Sequence, residues 1–266
     1  MKIKISVIAF LVFLLTSSQV LVAQNTNPDL LFDRAAALRA AGSADSSVLL
    51  FQKAAKGFLA VRSYEKAVNS LNQSGALLTR QDKYDPALTD LNLALKTGQK
   101  HLDKNNLTLA STFVALGVVF NARKEYEKSL SVHHKALDIR LSKSGKINAD
   151  VATSYGNIGN VYFNDGQIDK AIENHSEALR IRRELFGEDG TELVQSYVNL
   201  GKSLLENKMY QGALGSYQSA MKIRLKQTGP TPKDLPKIYK SISDIYYLMG
   251  NDKEGEVFKI KSEKPL

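Results

Sequence analysis

The chain of 266 residues contains no cysteine, which excludes disulfides, thiolate metal sites and a lipid-modified cysteine. It also lacks the short motifs of common catalytic pockets. No G-x-S-x-G elbow and no G-x-x-x-x-G-K-[ST] loop occurs. Gly145-Lys146 follows a serine but has no glycine upstream, and Gly156 and Gly159 do not complete a G-x-G-x-x-G. Of the four histidines, His101, His133, His134 and His175, the second and fourth lie 42 residues apart. They share the packing face of a helix, with no carboxylate or imidazole partners at helical spacing, so neither a metal nor a cofactor is expected. The carboxylates are scattered, and no acid/base pair stands out. A nucleophilic enzyme needs an activated side chain and a base beside it; without them the chain reads as non-enzymatic.

What is present begins with a leader. Met1-Lys2-Ile3-Lys4 precedes a run from Ile5 to Leu15 broken only by Ser6, and Thr16-Ser17-Ser18-Gln19 is followed by Val20-Leu21-Val22-Ala23-Gln24. A basic start, a short apolar core and a small residue before a polar one predict a signal peptide over residues 1–23. The mature chain would then start with a short segment, 24–27, and be exported, with a Gram-negative periplasm as the expected compartment. The alternative is a membrane anchor over residues 5–23, about long enough to span a bilayer. No later segment is apolar enough to do so. The net charge of +9 falls to +7 without Lys2 and Lys4. Basic residues are mostly interleaved with acids, as in Lys124-Glu125-Tyr126-Glu127-Lys128, and no nucleic-acid motif accompanies them, so no nucleic-acid partner is expected.

After the leader a block recurs every 42 residues. Tyr155, Ile158-Gly159, Tyr162, Ala171, His175 and Ala178 become Tyr197, Leu200-Gly201, Leu204, Ala213, Tyr217 and Ala220 one period on. One period back they are Phe113, Leu116-Gly117, Phe120, Ser129, His133 and Ala136, and before that Leu71, Gly75, Leu78, Ala87, Leu91 and Ala94. Each block carries two helical patterns separated by a break such as Asn164-Asp165-Gly166, with Gly166 suited to a left-handed helix end. Gly159, Ala171 and Ala178 leave room for two backbones to approach. Ala35, Leu38, Gly42, Phe51 and Ala54 fit one earlier block at a slightly shorter offset, and Tyr239, Ile242, Tyr246 and Gly250 continue the register. In the final helix Ser243, Gly255, Lys259 and Ser262 occupy slots that are elsewhere Gly, Ala, aromatic and Ala, as expected of an end repeat. A helical array is predicted over residues 28–262, with a short tail at 263–266.

The aromatic-x-x-Leu-Gly-x-x-aromatic, Ala-x-x-x-aromatic, Ala pattern resembles the tetratricopeptide repeat. The stretches Ala178-Leu179-Arg180-Ile181-Arg182-Arg183 and Ala220-Met221-Lys222-Ile223-Arg224 look like the longer repeats of kinesin light chains. The resemblance implies an all-α fold, an α-solenoid of about six helix-turn-helix repeats in a right-handed superhelix. It also implies a protein or peptide partner held in a groove lined by first helices. The groove slots are then Thr153, Asn157 and Asn160, with Asn164 ending the helix, next Gln195, Asn199 and Lys202, then Lys237 and Lys240. Asparagine is a poor helix former, so Asn157 and Asn160 together cost about 1 kcal/mol relative to alanine, and amides can pair with both groups of a bound peptide backbone. The expected function is a protein-interaction scaffold. The alternative is a sensory or regulatory component whose effector domain lies on another chain.

Overall fold

The computed structural model describes residues 27–227 and 232–263; the expected leader and the last three residues lie outside the described residues. Twelve helices and no strand occur among the described residues. In chain order they are α1 (Pro28–Ala40), α2 (Ala44–Ala60), α3 (Tyr64–Arg80), α4 (Tyr84–His101), α5 (Leu107–Ala122), α6 (Tyr126–Ser144), α7 (Ala149–Asn164), α8 (Ile168–Phe186), α9 (Leu193–Glu206), α10 (Tyr210–Leu225), α11 (Leu235–Leu248) and α12 (Asp252–Glu263). α1 packs on α2, α3 on α4, α7 on α8, α9 on α10 and α11 on α12. The architecture is an all-α solenoid. The described residues divide into two compact units, with the division between Val119 and Phe120. No described helix is long and apolar enough to cross a membrane.

Seven tight turns share one device. The second residue after the helix is left-handed at Gly42, Arg62, Asp82, Lys124, Gly166, Lys208 and Gly250. The next N–H returns to a carbonyl five residues back, as in Gln167 N to Tyr162 O at 2.9 Å and Met209 N to Leu204 O at 2.8 Å. This pattern satisfies carbonyls that a helix end would otherwise leave bare. Gly42 and Asp82 are 40 residues apart, which is the shorter offset of the first repeat.

In the N-terminal unit, Phe51 and Leu91 fill the second-helix slot and are fully buried. A Cβ on Gly75 would lie 2.6 Å from Leu91, so the small residue marks a helix crossing. The unit also buries a carboxylate. Asp90, 8% exposed, accepts from Ser74 Oγ at 2.6 Å and Gln52 Nε2 at 2.9 Å, joining α4 to α3 and α2. Asp90→Ala should strand both donors and lower stability by about 1–3 kcal/mol. A chemical-denaturation midpoint equal to that of the parent would show that this bridge contributes nothing.

In the C-terminal unit, three arginines one period apart tie each second helix to the next first helix. Arg140 donates to Asp150 O at 2.9 Å and Ser154 Oγ at 2.8 Å. Arg182 donates to Ser196 Oγ at 2.5 Å and Thr153 Oγ1 at 3.2 Å. Arg224 donates to Asp234 Oδ2 at 2.8 and 2.9 Å. The last repeat departs where the sequence does. Ser243 takes the slot of the glycines and donates to Gly255 O at 2.7 Å. With that slot filled, Lys259 is exposed and Phe258, one residue earlier, packs on Tyr239 and Tyr246 at centroid distances of 6.0 and 5.7 Å. The first repeat uses the same two slots in reverse, Ser47 Oγ donating to Ala35 O at 2.7 Å.

Candidate functional site

The groove slots expected from the sequence fall in the C-terminal unit, on α7, α9 and α11. α7 buries Val151, Ala152, Ile158, Gly159 and Val161 against its neighbours, which turns Asn160 and Asn164 outward. α9 buries Leu193, Val194, Tyr197, Gly201 and Leu204, which leaves Asn199 half-buried and Lys202 exposed. α7 and α9 also touch each other directly. Between them opens a cavity of about 280 Å³ lined by Asn121, Asn160, Phe163, Asn164, His175, Asn199 and Lys202. Its walls are mostly amide. Asn160 and Lys202 occupy the same repeat slot, 42 residues apart.

The cavity is positively biased. Lys202 Nζ sits 4.2 Å from the Phe163 ring centroid, a cation–π contact that holds the ammonium without neutralising it. Among the described residues no carboxylate lies within ion-pair distance of it. Asn164 Nδ2 donates to Asn121 Oδ1 at 3.1 Å, and Asn199 Oδ1 accepts from Gln195 Nε2 at 2.7 Å. The Asn199 amide therefore keeps its own N–H groups for another acceptor. The Asn160 side chain is exposed and makes no hydrogen bond among the described residues.

His175 forms the base of this cavity and is 2% exposed. Its ring rests on Gly159, where a Cβ would come within 2.7 Å. Burial pushes the imidazole down to about 4, and the Lys202 ammonium adds to the shift. His133 is also pushed down to about 4, by burial and then by Arg140 and His134. Both rings are therefore neutral packing elements at neutral pH. No group of three or more metal-ligating side chains occurs among the described residues.

Of the expected groove residues, the structure brings Asn160, Asn199 and Lys202 to one cavity. The others stand elsewhere. Thr153 accepts from Arg182, Gln195 braces Asn199, Lys240 pairs with Asp244 at 2.9 Å, and Asn157 and Lys237 are not among the lining residues. Sequence reasoning missed Asn121 and Phe163 as lining residues. They share a repeat slot, 42 residues apart, next to the helix end, and that recurrence was the available signal.

Helix pairs of this kind, with polar first helices around a shallow cavity, define an α-solenoid fold. Residues 150–226 match the tetratricopeptide repeat family model, and the chain has the fold of such repeat proteins. BtubC (BKLC) from P. vanneervenii is similar at a TM-score of 0.70 and 18% identity, covering 84% of this chain and 87% of that one. A candidate kinesin light chain from Podosopora anserina with nearly identical TPR-like repeats gives 0.64 and 13%, covering 73% and 92%. MamA from Desulfovibrio magneticus RS-1 gives 0.53 and 18%, covering 76% and 97%. No curated protein matches the sequence.

Proposed function

We propose that this protein is a non-enzymatic scaffold that holds an extended segment of a partner protein against α7 and α9. Asn160 and Asn199 would pair with its backbone and Lys202 with a carboxylate. The observation that carries this reading is the Lys202 ammonium, unneutralised within the described residues and flanked by amides with unused donors. A fold of the tetratricopeptide type supports a protein partner in general. We further place the mature protein outside the cytoplasm, on the strength of the leader, and expect material from producing cells to begin near Gln24.

The test is to capture partners with the immobilised protein from an extract of producing cells, then titrate one against variants. Losing an amide that pairs with a desolvated peptide group costs about 1–3 kcal/mol, whereas an exposed charge contributes about 0–1 kcal/mol and is screened by salt. The double change Asn160→Ala and Asn199→Ala should weaken binding at every ionic strength. Lys202→Ala should matter mainly at low salt. Full affinity in a double variant of unchanged helicity would move the contact off this face.

A further inference from the structure

The arginine slot that ties successive repeats together is filled three times in the C-terminal unit, and only two of the three arginines meet an acid. Arg140 reaches Asp150 at 3.9 Å and Arg224 reaches Asp234 at 2.8 Å. The acid slot recurs with the same period, as Asp150, Glu192 and Asp234. At the middle position the carboxylate instead accepts from the adjacent Thr191 hydroxyl at 3.3 Å. Arg182 is left with two neutral partners, the hydroxyls of Ser196 on α9 and Thr153 on α7. Its sequence neighbours are all matched. Arg180 bonds Glu177 at 2.7 Å and Glu184 at 3.2 Å, and Arg183 bonds Glu188 at 3.2 Å.

The guanidinium of Arg182 is half-buried among three helices. Burial lowers its pKa with no acid acting against it, whereas Asp150 opposes the same burial at Arg140. A guanidinium stays charged regardless and presents five N–H donors in a planar fork. Two of the five are used here, on hydroxyls that cannot neutralise it. A desolvated cation with unused donors favours an anion able to accept from two N–H groups at once. We propose that Arg182, with Thr153 and Ser196 holding its guanidinium in place, is a binding site for an oxyanion: a carboxylate, phosphate or sulfate group, free or carried by a partner. The site is distinct from the cavity at Lys202 and does not depend on the scaffold reading. Thr153, assigned to the groove from sequence, acts in it as the support for the guanidinium.

The chain contains its own control. Glu192→Asp places at this position the residue found at Asp150 and Asp234, which meet their arginines. Inorganic sulfate, phosphate and acetate, titrated at constant ionic strength against the isotope-labelled protein, are the probes. Their effect is read on the Arg Nε–Hε resonances and on the melting temperature. Sulfate should move the Arg182 signal saturably in the millimolar range and raise the melting temperature, leaving the Arg140 and Arg224 signals in place. In Glu192→Asp the affinity at Arg182 should fall at least tenfold while the melting temperature without sulfate rises. Acetate binding as tightly as sulfate would mark a carboxylate site; sulfate and phosphate binding more tightly would mark a tetrahedral one. The proposal is overturned if the Arg182 signal fails to saturate, if all three arginines shift alike, or if Glu192→Asp binds sulfate as the parent does.

Discussion

Between pH 6.5 and pH 4 the protein should lose about 3 kcal/mol of stability for each of two buried histidines, and replacing both should flatten that slope. The physical cause is burial. His133 and His175 are 1% and 2% exposed, and each is pushed down to about 4 in the folded state. An unfolded chain returns them to about 6.5. In the interval the unfolded state binds protons that the folded state refuses, so acid favours unfolding. Stability from this source is complete above pH 6.5, declines as the pH falls toward 4, and levels off below. Nearby cations act in the same direction, Arg140 and His134 at His133 and Lys202 at His175. The slot itself tolerates other residues, since it holds Leu91 and Tyr217 in other repeats, both buried. The double variant His133→Leu and His175→Tyr should therefore fold. Urea midpoints at pH 7, 5.5 and 4.5 give the comparison. Equal pH slopes in parent and variant would remove the histidines as the cause.

Two glycines three residues apart should respond in opposite directions. Gly159 lies at the helix crossing, and a Cβ there would come within 2.7 Å of the His175 ring. Gly156, on the same helix, would meet nothing within 4 Å. Gly159→Leu should overpack the crossing and cost about 3 kcal/mol, the upper end for inserted core atoms. Gly156→Ala should stabilise by up to about 1 kcal/mol through helix propensity alone. Gly201→Leu repeats the first case, because a Cβ there would lie 2.9 Å from Tyr217. Thermal unfolding of the three variants provides the reading. A Gly159→Leu midpoint at or above that of Gly156→Ala would show that the crossing is looser than its geometry.

The sequence by itself determined the repeats. Every helix crossing must present a small residue to a larger one, so Gly159 and His175 recur as Gly201 with Tyr217 and as Gly75 with Leu91, each pair in contact. That constraint repeats with the chain and is therefore visible without coordinates, as is the odd last repeat with Ser243 in the glycine slot. The turns were only partly legible. Left-handed backbone was expected at Gly166, and it also occurs at Arg62, Asp82, Lys124 and Lys208. Packing of the helices on either side imposes a conformation that costs such residues about 1–2 kcal/mol.

The site was decided by the tertiary structure. Periodicity places Asn157, Asn160, Asn199 and Lys202 on the outer faces of their helices, but it carries no information on how neighbouring first helices cross. The crossing of α7 and α9 brings Asn160, not Asn157, to the cavity with Asn199 and Lys202, and adds Asn121 and Phe163. The same holds for the arginines. Arg140, Arg182 and Arg224 share one repeat slot and each is followed ten residues on by an acid, but the coordinates show Asp150 and Asp234 meeting their arginines while Glu192 turns to Thr191. A repeat fixes each residue's place about its own helix axis. Which side chains meet across two axes depends on distances of a few ångströms that no period encodes.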